Sequence, residues 1–78
     1  MKEKIIEIIE GLTDYSGIDS SSDLLEEDII DSLAFIELIA ELEKTFNIEI
    51  QPTQVPSDTW RNVDNIEKMV KNLLNFKK

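Results

Sequence analysis

A small all-α bundle is the fold that this 78-residue chain predicts. Apolar residues recur at helical spacing in three separate blocks, no alternating run marks a long strand, and the length allows one modest core. The expected order is helix, long loop, helix, short turn element, helix. That gives a right-handed bundle of three main helices with a short third helix before the last, in a single domain over residues 1–78. With 41% hydrophobic residues arranged in periodic blocks, the chain has the burial that a disordered acidic tail lacks.

Ile5, Ile6, Ile8, Ile9 and Leu12 place the first helix, which runs to about Leu12 or slightly beyond, with Gly11 near its end and Gly17 past it. Residues 16–31 are rich in Ser and Asp and read as a loop. Ile18, Leu24, Leu25, Ile29 and Ile30 are the side chains available to pin it to a core. A loop of this length in a compact domain is usually functional. The second helix spans about Ser32 to Thr45, with Asn47 as its carboxyl-terminal cap.

On a wheel of about 100° per residue, Phe35, Leu38, Ile39, Leu42 and Phe46 form the core stripe of that helix. Leu33, Ile36 and Ala40 form a second, narrower stripe far round the wheel, flanked by Glu37, Glu41 and Glu43. One small domain cannot bury both stripes, so the second reads as a contact surface for a partner. Ile48, Ile50 and Val55 with Pro52 and Pro56 describe an extended connection and a turn or two. Trp60 reads as a core or hinge anchor. The last helix covers about Val63 to Asn75, with Ile66, Met69, Val70, Leu73 and Leu74 inward. Its start has two candidate devices: a cap at Asn62, and a capping box from Asp64 with Glu67.

Charge narrows the function classes. There are 17 Asp and Glu against 8 Lys and Arg, a net charge of −9, and no basic residue lies between Lys4 and Lys44. Such a field repels nucleic-acid phosphates and anionic lipid, and favours a basic protein surface, whose encounter it would steer. No Cys and no His are present, which removes a thiol nucleophile, the commonest general base and the commonest zinc ligand. Residues 1–9 lack the unbroken apolar stretch of a signal peptide or membrane span, so a cytoplasmic protein without direct membrane insertion is expected.

Catalytic and metal chemistries fail residue by residue. A calcium loop opening at Asp19 would place Leu24 where Gly is needed and Ile30 where a bidentate Glu is needed. Serine nucleophiles need a base that this chain lacks, no Gly-rich phosphate cradle exists, and a carboxylate pair would have no cleft to hold a sugar. Ser32 remains. It stands at the mouth of the second helix, where the first N–H groups lack backbone partners and the dipole favours negative charge, so a phosphate ester on its hydroxyl would be held. The plainer role is that of a helix cap, which Asp31 could equally fill.

The run Leu24-Leu25-Glu26-Glu27-Asp28-Ile29-Ile30-Asp31-Ser32-Leu33, followed by Ile36-Glu37-Leu38 and Glu41-Leu42-Glu43-Lys44-Thr45-Phe46-Asn47-Ile48-Glu49-Ile50, resembles the acyl carrier protein family, including its peptidyl and D-alanyl carrier relatives. The likeness extends over essentially the whole chain. It implies a monomeric carrier, not an enzyme, on which Ser32, flanked by Asp31 and Leu33, takes 4′-phosphopantetheine from coenzyme A through a magnesium-dependent phosphopantetheinyl transferase. The thiol of that limb would hold an acyl or aminoacyl group as a thioester, supplied by an adenylating, loading enzyme and passed to acyl transferases or synthases with basic docking surfaces. Leu33, Ile36 and Ala40 with Glu37 and Glu41 would correspond to the docking surface. No resident metal is implied.

The segment Ser57-Asp58-Thr59-Trp60-Arg61-Asn62-Val63 is similar in spacing to the D-alanyl type, which the reading favours over the free-standing carriers of fatty-acid, polyketide or peptide synthesis. Asp28, where Gly is usual, and Asn62-Val63, in place of Thr-Pro, depart from that type. Asp28 also raises a backbone question, because Asp enters the left-handed region less readily than Gly. A reading from another class is a non-catalytic adaptor that binds a partner helix through Leu33, Ile36 and Ala40.

Overall fold

The computed structural model describes residues 1–76, with Phe76 as backbone alone. Its elements are α1 (Lys2–Thr13), α2 (Ser32–Phe46), 3₁₀ turns at Pro52–Gln54 and Ser57–Trp60, and α3 (Val63–Phe76). No strand occurs among the described residues. The three helices and short turns are the expected all-α architecture. The short third element, however, is divided into two 3₁₀ turns. Pro52 and Pro56 each lack an N–H, so an α-helical ladder cannot run through this segment.

One hydrophobic cluster holds the elements together. Ile5 and Ile9 of α1, Leu38 and Leu42 of α2, and Val63, Ile66 and Val70 of α3 are at most 1% exposed. Trp60 is buried as the expected anchor, and Phe35 meets its ring edge-on at 5.1 Å between centroids. On α2 the deeply buried line is Ala34, Leu38 and Leu42, whereas Phe35, Ile39 and Phe46 are half-buried at its margin. The stripe read from sequence was thus off-centre. Large side chains weight the wheel, but the buried line of α2 also takes in the small Ala34.

Local chemistry ends each helix. α1 stops at Asp14, left-handed at φ 59°, whose N–H donates to the Glu10 carbonyl. α2 stops at Asn47, as expected, at φ 53°; its N–H and that of Ile48 both reach the Glu43 carbonyl. The Glu43 carboxylate then accepts the Ile50 N–H at 2.9 Å, so this acid holds the chain that leaves α2. At the start of α3, Asn62 is the cap, accepting the Asn65 N–H at 2.8 Å. Asp64 is otherwise engaged: its N–H donates to the Ser20 carbonyl and its carboxylate pairs with Lys2 at 2.9 Å.

The loop between α1 and α2 is ordered by its own polar groups and by four buried side chains, Ile18, Leu24, Ile29 and Ile30. Asp23 is the polar hub. Its Oδ1 accepts the N–H groups of Leu25 and Glu26, and its Oδ2 accepts from Arg61 Nη1 at 2.9 Å. Leu24, fully buried, donates its N–H to the Arg61 carbonyl at 2.6 Å, and its carbonyl accepts from Ile29 and Ile30. Asp28 closes this turn at φ 55°. It takes the left-handed conformation that Gly would adopt more cheaply. Leu25, counted among the pinning residues from sequence, instead faces solvent at 40% exposure. A tight turn that sends Leu24 inward sends its neighbour outward.

Two outcomes are expected. Backbone N–H groups and the Arg61 charge hold the Asp23 carboxyl below the usual carboxylate range. Its stabilisation is therefore complete above the unfolded-state value and is lost as pH falls through the lower folded-state value. Melting temperatures recorded from about pH 6 down to about pH 2.5 should show wild type losing its advantage over Asp23→Asn at the acid end; a constant gap would reject the linkage. Separately, Asp31 accepts the Ala34 N–H at 2.8 Å as the α2 cap. Asp31→Ala should lower stability by about 1 kcal/mol in urea unfolding, with the m-value unchanged.

Candidate functional site

Ser32 is the first helical residue of α2, immediately after the Asp31 cap. This settles the choice between the two: Asp31 fills the capping role, and the Ser32 side chain is exposed with its hydroxyl unpartnered among the described residues. The position follows from the chain before it. Ile29 and Ile30 are both drawn into the core, Asp31 turns in extended geometry, and the helix begins with the next residue facing out. With the Asp31 carboxylate bound to Ala34, the N–H groups of Ser32 and Leu33 remain open at the positive end of the helix.

The first turn of α2 forms a ridge between two shallow grooves. One, of about 460 Å³, is lined by Leu25, Ile30, Asp31, Ser32, Phe35 and Ile36, an apolar surface with one carboxylate. The other, of about 280 Å³, lies toward the end of α1 and includes Tyr15, Asp28, Asp31, Leu33 and Glu37. Leu33 is 66% exposed and Ile36 63%, so the second stripe of α2 is on the surface at its amino-terminal end. Ala40 and Glu37 are exposed as well, while Glu41 is half-buried beside Lys4, Glu7 and Thr45, between α1 and α2. The structure thus gathers Ser32, Asp31, Leu33, Ile36 and Glu37 at one end of α2 and leaves Ala40 and Glu41 farther along it.

Leu25 and Tyr15 also border this end of the molecule, and neither had been assigned to it. For Leu25 the available signal was adjacency to Leu24: two neighbouring leucines in a tight turn rarely share a side. Tyr15 carried only the hint of a lone aromatic in a polar stretch. Chemically the arrangement suits a phosphate ester. The oxygen is reachable, no internal hydrogen bond competes for it, unpaired N–H groups lie beside it, and an apolar groove adjoins it.

Residues 3–70 match the family model described as "Phosphopantetheine attachment site". The chain is 40% identical over 72 residues to the D-alanyl carrier protein of Lactococcus lactis subsp. cremoris, covering 90% of this chain and 91% of the relative. It is 36% identical over 75 residues to the D-alanyl carrier protein of Streptococcus pyogenes (strain Manfredo), covering 94% of each. No described helix is long and apolar enough to cross a membrane. The chain belongs to the phosphopantetheine attachment site family, as a carrier protein and not an enzyme, with 4′-phosphopantetheine as its covalent cofactor and a transferase and loading enzymes as the partners this family implies.

Proposed function

We propose that Ser32 carries the 4′-phosphopantetheine, that residues 1–78 act as one carrier domain, and that the cargo is D-alanine held as a thioester. The observation that carries the reading is the Ser32 hydroxyl, exposed and unpartnered at the first position of α2, within the residues that match the family. Attachment joins the Ser32 oxygen to the phosphorus of the phosphopantetheine half of coenzyme A, breaks the bond to the nucleotide half, and releases the hydroxyl proton. The open N–H groups of the first turn would accept the phosphodiester, and the Leu25–Ile36 groove would border the limb. When bound, the limb supplies the thiol that a chain without Cys lacks.

D-alanine is supported by the two relatives above, which match nearly end to end. An adenylating enzyme would load the thiol, and an acyl transferase would take the D-alanyl group onward. Leu33, Ile36 and Ala40, edged by Glu37 and Glu41, would meet basic surfaces on these partners. We place this monomeric carrier in the cytoplasm, where coenzyme A and ATP are available.

Incubation with coenzyme A, magnesium and a broad-specificity phosphopantetheinyl transferase should raise the intact mass by one phosphopantetheine, and Ser32→Ala should show no gain. A bare wild-type protein beside a modified control carrier would return the molecule to the adaptor reading. Offered D-alanine, L-alanine and fatty acids with their adenylating enzymes, holo protein should load D-alanine fastest; preferential loading of a fatty acid would move it to the free-standing acyl carriers. Glu37→Lys should raise the loading KM several-fold and leave the melting temperature within about 2 °C, because an exposed charge acts mainly on encounter.

A further inference from the structure

Five large hydrophobic side chains are exposed among the described residues, and four of them, Tyr15, Leu25, Leu33 and Ile36, border the two grooves beside the first turn of α2. The grooves differ in kind. The one containing Ser32 has a single carboxylate among apolar side chains, and suits the limb. The other brings Tyr15 and Leu33 together with Asp28, Asp31 and Glu37, and no basic residue lines it. The carboxylates of Asp28 and Glu37 have no partner among the described residues, so their charge is available.

The main chain of Tyr15 is held in place although the residue is 45% exposed. Its N–H donates to Thr13 Oγ1 at 3.3 Å, and the same hydroxyl donates to the Ile9 carbonyl at 2.7 Å, just where Asp14 turns the chain out of α1. An aromatic side chain on an anchored stretch of backbone, beside an exposed Leu and unpaired carboxylates, has the makings of a binding hot spot, because a ring offers much contact area for few rotatable bonds. A second copy of this chain would bring like charges together, given its net charge of −9. An apolar knob alone would leave the carboxylates desolvated without compensation. Arginine answers both needs, because its flat guanidinium stacks on an aromatic face while its edge donates to carboxylates.

We infer that the Tyr15–Leu33 groove receives an arginine side chain of the partner enzyme, with the guanidinium over the Tyr15 ring and its N–H groups toward Asp28 and Glu37. This rests on the carrier reading of Ser32 and adds to it a recognition element from the end of α1, outside the α2 stripe. The two grooves then divide the work: one borders the limb, the other orients the enzyme that acts on it.

The test is steady-state modification of the full chain by the phosphopantetheinyl transferase, repeated on holo protein with the D-alanine adenylating enzyme. Tyr15→Ala should raise KM for the carrier about five- to tenfold with at least one of the two enzymes, with kcat kept. Tyr15→Phe, which retains the ring, should stay within about twofold of wild type. Glu37→Gln in an Asp28→Asn background should flatten the rise of KM with added salt. These exposed substitutions should leave the circular dichroism melt in place; the Phe and amide variants still decide the matter if the Ala variant is destabilised. A Tyr15→Ala KM within about twofold of wild type for both enzymes overturns the proposal, as does a Phe variant as impaired as the Ala variant. The two readings fail separately: wild type that never gains mass fails at Ser32, whereas wild type that is modified normally alongside an indifferent Tyr15→Ala fails here.

Discussion

Leu24 is where the loop between α1 and α2 is fixed to the rest of the molecule. Its side chain is fully buried, its N–H is given to the Arg61 carbonyl, and its own carbonyl takes the N–H groups of Ile29 and Ile30. A long connecting segment loses much conformational entropy on ordering, and this one has few apolar residues to offset the loss. Concentrating four kinds of contact around one residue and its neighbour Asp23 solves that problem locally. The consequence travels along the chain. Once Ile29 and Ile30 are bound to the Leu24 carbonyl and buried, Asp31 must turn outward, α2 must start at Ser32, and the hydroxyl must face solvent. The placement of Ser32 is thereby set by a buried leucine eight residues earlier as much as by the helix that bears it.

The charge distribution has a matching logic. Lys2, Lys4, Arg61 and Lys71 are each engaged near an acid, at Asp64, Glu7, Asp23 and Glu67. Such surface pairs add little to stability individually, and these four cations lie on α1, at the α3 junction and on α3, while Lys44 sits in the last turn of α2, at the end far from Ser32. The amino-terminal end of α2 is left with Asp28, Asp31 and Glu37 and no cation lining its grooves. The self-repulsion lowers the stability of the compact state, and the same field would steer a basic surface toward it over distances comparable with the Debye length. For a carrier whose family implies a transferase and loading enzymes as partners, rapid encounter and ready release count for more than tight binding.

The three helices were legible because periodicity of about 3.6 residues is a local signal, and caps such as Asn47 and Asn62 are local too. The place of Ser32 at a helix start was legible because the signals that begin α2 are contained in a few residues. What escaped was non-local. Asp64 has the spacing of a capping box, yet it serves Ser20 and Lys2, which fold against it from elsewhere in the chain. Ala34 lies on the buried line of α2, although a wheel read for large apolar side chains passes it over, because the neighbouring elements decide which face of the helix is covered. The grooves are likewise juxtapositions: Tyr15 and Leu33 meet only because the loop between them returns, and Leu25 faces outward only because its turn is tight.

The same packing bears on the nature of the cargo. Ile5, Leu24, Leu38, Leu42 and Ile66 close the centre of the bundle at essentially zero exposure, and protein interiors of this kind resist added volume. A long alkyl chain seeking shelter from water would have to part these side chains, with losses spread over every element they join. A D-alanyl group makes no such demand. Its methyl is small enough to lie in the open groove beside Ser32, and its ammonium is favoured by the surrounding acids rather than buried from them. An open groove and an anionic rim at this end of the molecule are compatible with a short, cationic passenger of the kind proposed above.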